Sequence, residues 1–253
     1  MLKAIQIELL KSKRTKSFII ATLIVTMGLL WKIAAFLGHT NGVEVFFDNQ
    51  DIHVFVLPIA ISIYISRIIS NEKEGRTFKL QASNGRGITE IFHQKLYFSI
   101  VFFGLMALLY TAGISLYLIL AEGQEVPIYI FGIQVLSLLL VSFVQICIYM
   151  TLAMILEKQG LVLAMGFIGA FLGFIFQGKT SQFWTFLIPW DGTGFLSIYK
   201  FGYDVETNTI FHTPENHLAL RICIYAVYAL IWYGIARHNI TSKENLLIKV
   251  AFY

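Results

Sequence analysis

The sequence predicts an all-α, polytopic helical membrane protein with six transmembrane helices, and three observations carry that prediction. Apolar residues make up 57% of the 253 residues and charged ones only 13%, where a soluble domain carries about 25% charged residues. Several apolar runs reach the roughly 20 residues that cross about 30 Å of hydrocarbon. The Lys and Arg residues fall almost entirely on one side of the resulting layout. A chain of this length holds about six spans and little else, so a separate soluble catalytic domain is not expected. The formal charge of +4 then reads as the loop bias that orients membrane proteins, and no nucleic-acid partner is expected.

The expected spans are Ser17–Gly38, Ile52–Ser70, Leu96–Ala121, Pro127–Leu156, Gly160–Gln177 and Leu218–Ala236. With the N-terminus in the cytoplasm, fifteen of the 19 Lys and Arg lie inside. They are Lys3, Lys11, Lys13, Arg14, Lys16, Arg67, Lys73, Arg76, Lys79, Arg86, Lys95, Lys158, Arg237, Lys243 and Lys249. Lys179, Lys200 and Arg221 fall outside, and Lys32 lies within the first span. The bias places both termini in the cytoplasm, as an even number of spans requires. The first apolar run continues past Trp31 to Leu37 without a small-residue cleavage site, so it is read as a retained span rather than a signal peptide.

The whole chain, 1–253, is thus one transmembrane domain. Residues 1–16 place Leu2, Ile5, Leu9 and Leu10 near one face at helical spacing, which predicts an amphipathic helix in the cytoplasmic interface. Lys32 beside Trp31 is expected to snorkel to the outer headgroups, with a cation lining an internal cavity as the alternative. Gly169 and Gly173 form a GxxxG in the fifth span, a close-packing signal that serves a neighbouring helix or a second copy equally well. Cys147 and Cys223 lie in apolar runs as packing residues.

Residues 178–217 form the largest extracellular segment. FWTFLIPW and FLSIYKF flank the turn Asp191-Gly192-Thr193-Gly194, and both are too short to span. They are expected to be interfacial or re-entrant helices. The polar stretch with His212, Glu215 and His217 lacks metal-ligand spacing, so no metal is expected there. GFIFQGKT at 173–180 matches the phosphate-loop pattern in letters only, because it closes an apolar span instead of joining a strand to a helix. No Asp or Glu is expected well inside a span, which disfavours a proton-driven pump. Catalytic constellations are absent too. An enzyme is therefore not expected, and any energy for transport must come from a partner.

The one strongly polar internal stretch is 71–95, NEKEGRTFKLQASNGRGITEIFHQK, between the second and third spans. It runs Glu72, Lys73, Glu74, Gly75, Arg76, Thr77, Phe78, Leu80, Ser83, then Gly85-Arg86, and closes on Lys95. This order resembles the first cytoplasmic loop of ABC exporter permeases of the type-2 class, where an acidic pair followed by Gly and Thr opens a coupling helix. The basic amphipathic start, six spans and short outer helices before the last span are similar to that class as well. Within it, the length and the opening KAIQIELLKSKRTKSF resemble small permeases of Gram-positive bacteria for lantibiotic immunity, bacitracin resistance or amphipathic peptide toxin export. Asn84-Gly85-Arg86 departs from the class, many members of which have Pro before the Arg-containing turn.

The resemblance implies a permease subunit in the cell membrane that pairs with a second copy or a paralogue. A cytoplasmic ABC ATPase would supply ATP and Mg, neither of which this chain would bind itself. Residues Glu72 to Arg86 would contact that ATPase, and the cargo would be amphipathic or antimicrobial peptides drawn from the cell or the bilayer. A lipid-like or drug cargo is one alternative. A non-transport scaffold or sensor, binding a cytoplasmic partner through 71–95, is the other.

Overall fold

The computed structural model describes residues 16–36, 42–48, 52–74, 87–177, 182–204 and 209–251. The expected interfacial helix at 1–15 lies outside them. Six helices are long and apolar enough to cross a membrane, and the chain is a multi-pass helical membrane protein. The spans are α1 (Ser17–Ala35), α3 (Ile52–Glu74), α4 (Ile88–Ala121), α5 (Ile128–Ile155), α6 (Gln159–Phe176) and α8 (Leu218–Ala251). Shorter elements are α2 (Val43–Phe46), a 3-10 turn at Phe183–Leu187 and α7 (Gly192–Phe195). One end of the bundle carries the α3–α4 connection, and we call it the loop end. The opposite end carries a β-hairpin and is called the hairpin end.

The helices outrun the hydropathy signal at the loop end. α3 continues from Ser70 to Glu74, α4 begins at Ile88 rather than Leu96, and α8 runs to Ala251 rather than Ala236. The added turns are polar yet rich in helix formers, and they keep one buried face: Ile91 and Phe92 on α4, Ile240 on α8. A hydropathy window stops at the first charges, whereas a helix stops only where its tertiary support ends.

α3 and α5 are the most enclosed helices. α3 packs against α6, α1 and α5, while α5 packs against α4, α8 and α3. Tyr64 on α3 anchors the core, stacked on Phe102 (4.9 Å between ring centres) and edge-on to Phe18 and Phe103. Gly169 and Gly173 pack within the chain. A Cβ on Gly169 would come within 2.2 Å of Trp190 Nε1, and one on Gly173 would meet Val54 Cγ1 at 2.4 Å and the Trp190 carbonyl oxygen at 2.9 Å. The glycine face of α6 is therefore the bed for Trp190 and for α3.

The hairpin is the clearest departure from expectation. Residues 195–201 are read from sequence as one short helix, but α7 ends at Phe195 and the chain enters β1 (Tyr199–Asp204). β1 pairs antiparallel with β2 (Thr209–Pro214), with Phe201 opposite His212 and Lys200 opposite Thr213. Aromatic and β-branched residues dominate both strands and favour the pleated pairing over another turn of helix.

Residues 183–196 form a re-entrant segment. Its contacts descend along α5: Ser137 donates to the Leu196 carbonyl (3.3 Å), Gln145 to the Pro189 carbonyl (3.3 Å), and the Trp190 indole donates to the Tyr149 hydroxyl (2.7 Å). Ser137 and Tyr149 are about 18 Å apart along the helix at 1.5 Å per residue. On α8 the Tyr228 hydroxyl donates to the Leu187 carbonyl (3.0 Å). Irregular backbone at such depth is tolerated because its polar groups meet side chains of the surrounding helices.

Candidate functional site

The polar 71–95 stretch enters the described structure only at its two ends, and these are tied together. Glu72, on the last turn of α3, and Lys95, on the second turn of α4, form an ion pair at 2.9 Å, with side chains 5% and 3% exposed. Glu72 is therefore turned inward, toward Lys95. Glu74, two residues on, is exposed and accepts a hydrogen bond from Ser70 (2.7 Å). Gly75, Arg76, Thr77, Phe78, Leu80, Ser83 and Arg86 lie outside the described residues.

Lys73 points the other way, into the loop end of α5. Its ammonium donates to the Ala153 carbonyl (2.7 Å), while Lys243 from α8 donates to the Met154 carbonyl (2.8 Å). Two lysines thus complete the carbonyl end of α5, where free acceptors and the negative helix-dipole end favour cations. α8 also closes the amino end of α4. Gly87, the residue before α4, has no side chain to cap with. The Glu244 carboxylate instead accepts the Thr89 backbone N–H (3.0 Å) and a close hydrogen bond from the Thr89 hydroxyl. One turn further, His93 bridges the Thr89 carbonyl (2.7 Å) and the Tyr233 hydroxyl of α8 (2.9 Å). Both ends of the 75–86 connection are consequently fixed to each other, to α5 and to α8.

On the flank of the bundle, α1, α3 and α6 leave a cleft of about 640 Å³ whose walls include Ile24, Met27, Trp31, Phe55, Ile59 and Phe171. No charged side chain lines it. Trp31 is 70% exposed on this flank, but its neighbour Lys32 is fully buried. The Lys32 ammonium turns inward and donates to the Asp48 carbonyl. The expected snorkelling to headgroups is replaced because the segment after α1 brings an acceptor beside it.

Asp48 is also the hub of the hairpin end. Its carboxylate accepts from Ser197 (3.3 Å) and lies 3.5 Å from His212 Nε2 on β2. Beyond it, Glu215 sits between Lys200 (3.7 Å) and Arg221 (3.2 Å). The Arg221 guanidinium, bonded to the Phe195 carbonyl (3.2 Å), lies over the Phe183 and Phe195 rings. His212 and Glu215 thus serve in pairs that seat the hairpin. Among the described residues, no three His, Cys, Asp or Glu side chains converge as a metal site would require.

Sequence reasoning missed Thr89, His93, Lys243 and Glu244. The available signal was a charged, helix-forming tail continuing the last span past Ala236. It missed Asp191 as well, which the re-entrant segment carries into the bundle although no span contains it. No family model matches the chain, and no curated protein matches it.

Proposed function

We propose that the chain is the transmembrane permease subunit of an ATP-driven exporter of the type-2 ABC class, working as a dimer with cytoplasmic ATPase subunits. The observation that supports this reading best is the clamped base of the 75–86 connection. A connection joined to α3 and α4 by backbone alone would absorb a push as local bending. Here the Glu72–Lys95 pair binds its two roots together, Lys73 joins them to α5, and Glu244 joins them to α8. Displacement imposed by a partner then enters four helices at once, as the two-state motion of a transporter needs.

The cleft between α1, α3 and α6 suits cargo that enters sideways from the bilayer. Its apolar and aromatic walls fit the apolar face of an amphipathic peptide. The same lining favours one second reading, a lipid-like or drug cargo whose acyl or ring portion fills the cleft with no charge to neutralise.

The test is co-purification from detergent with a cytoplasmic ABC ATPase of the source cell. The ATPase is expected to accompany the full chain and to be lost when residues 76–86 are deleted, with the truncated chain still in the membrane. In a Cys223→Ser background, Arg76→Cys should react with a membrane-impermeant thiol reagent only after cells are permeabilised. Labelling in intact cells would place the connection on the outer surface, beyond an ATPase's reach, and would end this reading.

A further inference from the structure

The tip of the re-entrant segment holds an acid for which the transport reading has no use. Asp191 is fully buried, and neither of its carboxylate oxygens receives a hydrogen bond. The neighbouring donors are committed elsewhere. The Thr185 hydroxyl donates to the Gln182 carbonyl (3.0 Å), Lys200 faces Glu215 and the Gly194 carbonyl (3.4 Å), and Arg221 holds Glu215 and the Phe195 carbonyl. Two more buried hydroxyls without a hydrogen-bond partner, Thr193 and Tyr225, stand beside it. Tyr225 lies so close that a Cβ on Gly192 would sit 2.2 Å from its oxygen.

Every element packed on this tip contributes a defined charge environment. β1 brings Lys200, and α8 brings Arg221 and the neutral Tyr225. α5 brings Gln145 and Tyr149, which engage Pro189 and Trp190, and α6 brings Gly169 and Gly173. α3 brings Val54, while its His53 turns away to stack against Tyr110 (4.1 Å). A carboxylate anion in such a place lacks the donors that buried charge requires, whereas the neutral acid carries a much smaller desolvation cost.

We propose that Asp191 is a buried proton-binding site, holding its proton while the re-entrant segment is seated and losing it to water when that segment withdraws. The proton moves between the carboxyl and solvent at the hairpin end, and no other bond changes. Burial pushes the Asp191 carboxyl up to about 7, opposed by the positive charges of Lys200 and Arg221. The seated form therefore binds a proton that the withdrawn form releases, and lower pH favours the seated form. The inference stands on these residues whether or not an ATPase docks at the other end.

Linkage fixes the sign of the test. Because the seated pKa is raised, the stabilisation is fully present below the ordinary carboxyl value of 3.8 and is lost as pH rises to about 7. In purified full-length protein, the melting temperature should fall across that window. Asp191→Asn, which is neutral at every pH, should show a flatter profile that meets the wild type at the acid end. Infrared spectra of the wild type supply a readout that needs no variant to fold. A neutral-carboxyl band should persist above pH 5 and titrate away near 7. Assignment follows if Asp191→Asn removes the band and Tyr225→Phe shifts it. An unchanged melting slope in Asp191→Asn, or no neutral carboxyl in the wild type at pH 5, overturns the proposal.

Discussion

The loop end of the bundle and the tip of the re-entrant segment treat buried polarity in opposite ways. At the loop end Glu72 meets Lys95, Glu244 meets the free amide of Thr89, and two lysines meet the free carbonyls of α5. Charges there are matched in sign and in hydrogen-bonding need. At the hairpin end Asp191 is buried with no donor, while its would-be partners Lys200 and Arg221 converge on Glu215. A matched set of pairs moves as a unit and transmits displacement. An unmatched acid is held in place only under conditions that keep it neutral, which makes that end the natural place for release.

The sharpest way to break the contrast is to unmatch the loop end. Lys95→Met leaves the Glu72 carboxylate buried and alone, and breaking a buried pair from one side costs about 3–5 kcal/mol. The double variant Glu72→Met with Lys95→Met removes both charges and should recover most of that loss, since paired apolar replacement is often near neutral. Thermal melting of the single and double variants in detergent reads the difference. With Glu72→Met measured as the second single variant, a double variant destabilised by the sum of the two single losses would show that the pair is not coupled. The folded double variant then separates roles: it should melt like the wild type and yet, under the proposed exporter reading, transport poorly, because its loop roots are no longer charge-locked.

A second break targets the seat of the re-entrant segment. Gly169→Val places side-chain atoms where the Trp190 indole now lies, and overpacking of this kind costs about 1–3 kcal/mol. The effect should concentrate at the hairpin end. Trp190 loses its place against α6 and with it the bond to Tyr149, so hydrogen exchange should rise in 183–196 while the α3–α4 roots stay protected. Uniform exchange along the chain would mean that the glycine face supports the whole bundle and not the segment alone.

Much of this architecture is written in apolar run length. Six spans, a polar connection between the second and third, and a non-spanning segment before the last all follow from runs too long or too short for a bilayer. The roots of the connection are legible only by half. Glu72, Glu74 and Lys95 stand out as charges, but their division between a buried pair and an exposed acid depends on which side of α3 faces α4, and a 23-residue separation hides that. Lys32 illustrates the same limit, because its acceptor is a backbone carbonyl that no side-chain pattern announces. Asp191 was hidden for another reason. Its neighbours spell a turn, and nothing in a turn's spelling gives the depth to which flanking aromatics such as Trp190 will pull it.

The smallest predicted effect tests whether the matched end works as one piece. Glu244 caps α4 from another helix, and loss of a cap costs about 1 kcal/mol. Glu244→Ala should therefore lower stability slightly and leave the Glu72–Lys95 pair in place. Its larger consequence is mechanical. The variant keeps the His93–Tyr233 bond between α4 and α8 but loses the Glu244 tie, so displacement of the 75–86 connection reaches α8 more weakly than α3, α4 and α5. If the proposed exporter reading holds, this variant in proteoliposomes with a partner ATPase should hydrolyse ATP near the wild-type rate while exporting less cargo per ATP. Thr89→Val, which keeps the backbone N–H and removes the hydroxyl, should fall between the two. If Glu244→Ala transports with wild-type stoichiometry, α8 is a passive wall, and the loop end drives three helices rather than four.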